Sequence, residues 1–375
     1  MDQSTWWIKR DFRLSDNKAL TEAIAQNKYV LPLFICEPSI IQAEETSPLH
    51  LHAQFTALES LRVALKEIGA NLCVMNGESL NVFKLLHKRY PFTRIYSHQE
   101  TGSNITYQRD LKVKEWCQKM NIIWKEFPQN AVVRGVRIEK LDKKVWNTFM
   151  NTPQAATVSK MYWNDTLESL CQNNLSEIPS KISHRLLQPV TESAGQRVLT
   201  SFLTNRGESY WGSISSPNSA WFHGSRLSPH IAWGTLSLRQ VFQATNKKLD
   251  ALDQTSQQWM HSLKAFSSRL YWHDHFMQKL ESYPELEFQT ADPRYKSIVY
   301  KDSDTALYKW LHGQTGFPMI DATMRCLART GFVNFRMRAM AISFAAFGLH
   351  LSWKKVMYPF ARLMADYEPG IHIYQ

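Results

Sequence analysis

Arg269, Trp272, His273 and Phe276 stand at i, i+3, i+4 and i+7, so a helix through them gathers a cation, stacking surfaces and a titratable ring on one side. Such a face suits either an inter-helix contact with exposed polar tips or the wall of a pocket. Trp259, Leu263, Phe266, Leu270 and Met277 form a neighbouring stripe that is expected to pack inward. A second chemistry is offered by Ser225-Arg226-Leu227-Ser228. Two hydroxyls, a guanidinium and the free N–H groups of a following helix start are groups that hold phosphate, although a plain helix cap reads the same way. Neither GxGxxG nor GxxxxGK[ST] follows a strand, so the usual glycine loops for phosphate are absent. The five cysteines, Cys36, Cys73, Cys117, Cys171 and Cys326, include no CxxC pair and read as buried free thiols, with no metal site.

The elements that must position these groups fall into two kinds. From residue 5 to about 127, β-branched and aromatic runs at Thr5 to Ile8, Tyr29 to Ile35, Leu72 to Met75, Arg94 to Ser97 and Ile122 to Glu126 alternate with helical periods. The clearest helix carries Phe55, Leu58, Leu61, Leu65 and Ile68 on one face, and Asp16 and Glu78 are placed to start others. Repeated β-helix-β units imply a parallel sheet covered on both sides, with any ligand beyond the strands' carboxyl ends. Pro153, Pro179 and Pro189 then punctuate a connector with one helical stretch, and after Thr191 the pattern is almost wholly helical. Ser237 with Gln240 marks one helix start, and Pro318 opens a segment that closes at Gly331. Three parts follow: an α/β domain over 1–134, a connector over 135–190 and an all-α domain over 191–375. A chain of 375 residues has length for two cores. Its 44% hydrophobic and 21% charged content is that of a soluble protein, and no apolar run approaches the ~18 residues of a membrane span. The start lacks the succession of a secretory signal, so a cytoplasmic monomer without a membrane partner is expected. The net charge of +11 favours a polyanionic partner, and the 13 tryptophans favour stacking, cofactor contact or electron transfer besides core packing.

Three blocks of sequence, in order, resemble photolyases and cryptochromes. Residues 7–20, Trp-Ile-Lys-Arg-Asp-Phe-Arg-Leu-Ser-Asp-Asn-Lys-Ala-Leu, are similar to the family's opening. Gly224 to His230, running on to Gly234 and Ser237, resembles the loop and helix start that hold the flavin diphosphate. Trp310 through Thr315-Gly316-Phe317-Pro318-Met319-Ile320-Asp321-Ala322, Met324-Arg325 and Thr330-Gly331 resembles the flavin-domain signature. The resemblance implies a Rossmann-like α/β domain followed by an all-α FAD-binding domain. It also implies light-driven electron transfer, most simply that of a deoxyribodipyrimidine photolyase acting on UV-damaged DNA.

By the same resemblance, Tyr210, Ser225, Arg226, Leu227, Ser228, Arg269, Arg338, Asp366, Glu368 and His372 contact FAD. Trp272, His273, Phe335 and Arg336 meet DNA, and Trp272 and Trp353 serve in catalysis. An Arg338–Asp366 pair would favour an anionic reduced flavin, unless it is an ordinary surface ion pair. Arg269 and His273 replace the acidic or amide residue and the arginine usual in repair enzymes, and Asn334-Phe335 replaces His-Asn. His372 stands where an amide or carboxyl side chain normally faces flavin N5, and it is expected to tune or protonate the ring. Trp353 matches the middle of three relay tryptophans and Tyr300 stands for the outer one, while the inner position falls beyond Gln375. The chain therefore reads as shortened at its C-terminus relative to the family. A folate or deazaflavin antenna in the α/β domain is a further implication, with the loop His98 to Gly102 in a position to face one. Two alternatives are a cryptochrome-like photoreceptor without repair activity and a truncated, flavin-free nucleic-acid-binding or interaction protein.

Overall fold

The computed structural model describes residues 3–164, 171, 186–253 and 255–374. Five parallel strands, β1 (Gln3–Ile8), β2 (Tyr29–Cys36), β3 (Cys73–Asn76), β4 (Arg94–His98) and β5 (Ile123–Phe127), lie in the order β3-β2-β1-β4-β5. Thr5 of β1 is registered against Leu31 of β2 on one side and Ile95 of β4 on the other. Alternation along β1 explains why both faces need covering. Trp6 and Ile8 pack with the helices Lys18–Gln26 and Pro48–Glu67, while Trp7 packs with Ser79–Arg89 and Asn104–Lys119. Leu58, Leu61 and Leu65 of the expected apolar helix face are fully or almost fully buried.

Two of the expected helix starts differ in detail. Asn17, not Asp16, caps Lys18–Gln26 by accepting the Leu20 N–H at 3.0 Å. Asp16 sits in the left-handed region at φ 47°, from which its carboxylate takes the Ser237 hydroxyl at 2.5 Å and the Arg239 guanidinium. Glu78 precedes Ser79–Arg89, but its carboxylate accepts from Ser39, and Glu37 instead takes the Ser79 N–H at 3.2 Å.

The connector's helix, Lys143–Asn151, buries Trp146 and Met150 in the core of the helical half. Its Pro179 and the segments 165–170 and 172–185 lie outside the described residues. Cys171 is described and forms a disulfide with Cys73, so the expectation of free thiols holds for Cys36, Cys117 and Cys326 only. The pairing escapes sequence reasoning because β3 and the connector meet only after folding. From Glu192 onward the described chain is helical. Ser237 and Gln240 make the reciprocal capping box, and Pro318–Thr330 ends at Gly331 with φ 66°. No described helix is long and apolar enough to cross a membrane.

The two halves meet above the carboxyl ends of the strands. Arg13, 1% exposed, donates to Gly234 O at 2.9 Å and to Gln129 Oε1 at 3.0 Å. Together with Asp16, this arginine fastens the sheet to the loop ahead of the helix Leu238–Asp250.

Candidate functional site

The Ser225–Ser228 turn lies between the helices Pro217–His223 and Ser228–Ala232, with Arg226 at φ 59°. Arg206 braces it by donating to the carbonyls of Gly224 and Ser225, while its Nε donates to Ser201 Oγ at 3.0 Å. Nothing in the spacing marked Arg206 for this task. The Arg226 guanidinium lies 4.3 Å from the Trp221 ring centroid and 4.4 Å from that of Phe332, and its buried Nε has no hydrogen-bond partner. Ser225 Oγ accepts weakly from Leu227 N–H at 3.4 Å. The Leu227 side chain, 1% exposed, belongs to the apolar core.

Phe332 joins this turn to a second group, since the Arg338 guanidinium lies 5.5 Å from the same ring. Arg338 Nη2 donates to Asp366 Oδ2 at 2.8 Å, and its Nε donates to Val333 O at 2.9 Å. Both partners are buried, so this is not the weak surface pair that sequence left open. Asp366 Oδ1 is buried and unpartnered. His372 Nε2 lies 2.7 Å from Met357 O, and its Nδ1 is likewise buried without a partner. Burial, reinforced by the Arg338 charge, pushes His372 down to about 4. The lowered value favours the neutral imidazole.

Glu368 leaves this group. Its Oε2 takes Arg10 Nη1 at 3.3 Å across the junction of the two halves. Burial raises its pKa, against the lowering charges of Arg10 and His273. The paired acidic positions, Asp366 and Glu368, thus face different partners.

The helix Gln257–Ser282 carries the aromatic face. Trp272 is 40% exposed, with His275 at 4.9 Å and Phe276 at 5.7 Å between ring centroids. Phe276 stacks on Tyr374 at 5.9 Å, and Lys279 Nζ lies 4.7 Å from the Tyr374 ring. Arg269 is exposed, and its charge acts on the buried Tyr210 hydroxyl. His273 turns away. It bonds Asp274 at 3.1 Å and lines a crevice with Arg10 and Glu368. Burial opposes its charge, but the Asp274 bond and the Asp274 and Glu368 carboxylates raise its pKa. The four residues read as one face are therefore split, and His275 takes the place expected of His273.

Tyr210 packs into the helical core, 5.5 Å from Phe202 and 5.6 Å from Phe266, and burial raises its hydroxyl to about 12. Phe335 and Arg336 are exposed at the start of Phe335–Ser343, where Asn334 Nδ2 donates to Ile214 O at 2.9 Å. Trp353 and Tyr300 line one open groove with Tyr374. At the carboxyl ends of β1, β2 and β4, a crevice is walled by Lys9, Glu37, Glu100 and Arg109 opposite Trp233, His50 and Tyr367. The last residue of β4, His98, bonds Asp11 at 2.9 Å, and in the loop that follows Glu100 takes Arg109 at 2.6 Å at the crevice.

Comparison with known proteins adds an independent line. Residues 4–169 match the model for DNA photolyase, and residues 266–375 match the FAD binding domain of DNA photolyase. The chain is 25% identical to a cryptochrome DASH of Gloeobacter violaceus, over 96% of this chain and 76% of that protein. It is 24% identical to a deoxyribodipyrimidine photo-lyase of Synechococcus, over 93% of this chain and 75% of that protein. A cryptochrome structure from Synechocystis superposes with a TM-score of 0.84 at 20% identity, covering 99% of this chain and 80% of that one. The last similarity concerns the fold.

Proposed function

The chain belongs to the photolyase and cryptochrome family, and from that premise we propose that it is a FAD-dependent photolyase that reverses UV-induced pyrimidine dimers in DNA. The observation that carries the cofactor reading is the group around Phe332. Arg226 Nε, Asp366 Oδ1 and His372 Nδ1 are buried polar atoms without partners. Orphaned groups of this kind are costly unless a ligand pairs them, and one donor with two acceptors beside aromatic rings suits a flavin nucleotide. When bound, FAD supplies light-driven one-electron chemistry. Arg226, braced by Arg206, offers a cation to phosphate, with the Ser225 and Ser228 hydroxyls adjacent. Arg338 neutralises Asp366 and fixes the orientation of its free oxygen.

Trp272 supplies the surface on which a base flipped from the duplex would stack, with Phe276 and His275 supporting it. Phe335 and Arg336 offer a further exposed aromatic and cation for DNA. Trp353 and Tyr300 would relay electrons at the groove they share. A folate or deazaflavin antenna would occupy the crevice between Arg109 and Trp233, where a doubly wound sheet receives its ligands.

A second reading, a cryptochrome-like photoreceptor without repair, is favoured by one observation: His273 points into the molecule, away from Trp272. The two readings separate on one experiment. Flavin-loaded chain and dimer-containing DNA are illuminated with blue light, and dimers are counted against a dark control. Repair lowers the count only in the light; equal counts, with the flavin still photoreduced, would favour the photoreceptor. Arg226→Ala is expected to reduce flavin retention on gel filtration, whereas full retention would remove Arg226 from the cofactor site.

A further inference from the structure

Three successive carbonyls, those of Gly224, Ser225 and Arg226, are each held by a side chain from outside the Ser225–Ser228 turn. Arg206 donates to Gly224 O and, at 3.2 Å, to Ser225 O. Its other bonds run to Val198 O at 3.1 Å and Ser201 Oγ at 3.0 Å, both in the helix Glu192–Thr204. Gln188, from the connector, donates through Nε2 to Arg226 O at 2.8 Å. The same amide nitrogen lies 2.8 Å from Nε2 of the fully buried His230, whose Nδ1 lies 2.9 Å from Thr235 Oγ1. Burial favours the neutral imidazole, which accepts the second amide hydrogen. Both clamps are thus anchored in packed structure.

A trans peptide points its N–H opposite to its C=O, and no peptide here is cis. Holding the three carbonyls therefore sets the directions of the Ser225, Arg226 and Leu227 N–H groups. Arg226 at φ 59° is followed by Leu227 at φ -93°, a left-handed then right-handed pair that draws successive N–H groups into one concavity suited to an anion. Among the described residues, the N–H groups of Ser225, Arg226 and Ser228 meet no acceptor, and that of Leu227 reaches only Ser225 Oγ at 3.4 Å. The geometry points to Arg206 and Gln188 as positioning residues that hold this turn ready for a diphosphate by gripping its carbonyls, an inference that rests on the flavin-binding reading above. A flipped peptide in the turn would put an oxygen where an N–H belongs, and that oxygen would repel phosphate. Left-handed backbone at a residue other than glycine carries a cost, and the two clamps oppose its relaxation. Arg226 and Ser228 then add their side chains to a cradle that the backbone has already made.

The test compares FAD with riboflavin, which lacks the diphosphate, on the native chain, Arg206→Gln and Gln188→Ala. FAD affinity is expected to fall roughly tenfold in Arg206→Gln and about threefold in Gln188→Ala, with riboflavin affinity unchanged in both. Gln188→Ala alters no charge, so its loss cannot come from long-range attraction, and it alone decides if Arg206→Gln does not fold. Native FAD affinity in Gln188→Ala, or equal losses for FAD and riboflavin, overturns the inference and leaves flavin binding intact. Failure of the native chain to bind FAD overturns the cofactor reading and the inference with it. Nitrogen-15 NMR of the flavin-free native chain with inorganic pyrophosphate gives a separate readout. The Ser225, Arg226 and Ser228 amides are expected to shift, and unmoved amides there overturn the inference whatever the variants do.

Discussion

Trp272 and His273 are neighbours in sequence that the fold sends to opposite sides. Adjacent helical residues lie about 100° apart, so either can join the Phe276 face, and spacing alone cannot choose between them. The choice is made by Glu368 and Asp274, whose carboxylates draw the imidazole inward. One of these partners is remote in sequence, and the i to i+7 pattern contained no sign of it. The Arg338–Asp366 pair, by contrast, was expected from the family resemblance, and what folding added is its burial. Phe332, which touches both arginines of the candidate site, carried no signal of its own. For Trp272 the expectation is sharp: Trp272→Ala should leave flavin bound and weaken damaged DNA by about 1–3 kcal/mol, the usual worth of a stacked base. Fluorescence anisotropy with dimer-containing oligonucleotides measures the second effect and the flavin absorbance the first. Release of flavin by this substitution would mean that the indole belongs to the cofactor pocket.

The strands were legible from their β-branched and aromatic runs, and each observed strand overlaps its expected span. Their order was not, since pairing depends on contacts between residues far apart in sequence. Helix caps were legible where a side chain serves its own helix, as at Ser237. They were misread where the side chain serves the other half, as at Asp16, whose carboxylate goes to Ser237 and Arg239. Gly234 belongs to this same junction. At φ 63° it occupies the left-handed region, and a Cβ there would collide with the carbonyl of Arg10. Gly234→Ala is therefore expected to destabilise the chain by more than the roughly 1–3 kcal/mol of the backbone conformation alone. Chemical denaturation should show the loss as a lower midpoint; an unchanged midpoint would mean that the two halves separate there at little cost.

Across the whole molecule, acid stability should follow three histidines. His50, His230 and His372 are pushed down to about 4, chiefly by burial. Their folded values lie below the unfolded value of about 6.5. The unfolded chain thus binds protons first as pH falls. Their stabilisation is complete above about 6.5 and is lost progressively toward 4, each histidine adding up to about 1.4 kcal/mol per pH unit. His273, with a raised pKa, runs the other way and gives up its contribution as pH climbs through its folded value. Melting temperature is expected to fall across the acid window, less steeply in His230→Gln; a flat profile from pH 7 to 4.5 would contradict this account. A last consequence concerns cutting the chain, not unfolding it. The Cys73–Cys171 bond spans 98 positions, and the covalent ring it closes contains β4, β5 and the helix Lys143–Asn151. A protease that cuts once inside that ring opens a loop without dividing the molecule. Such a nicked chain should run at full mass on a non-reducing gel and as two fragments after thiol treatment, whereas a single cut after residue 171 should give two pieces under either condition.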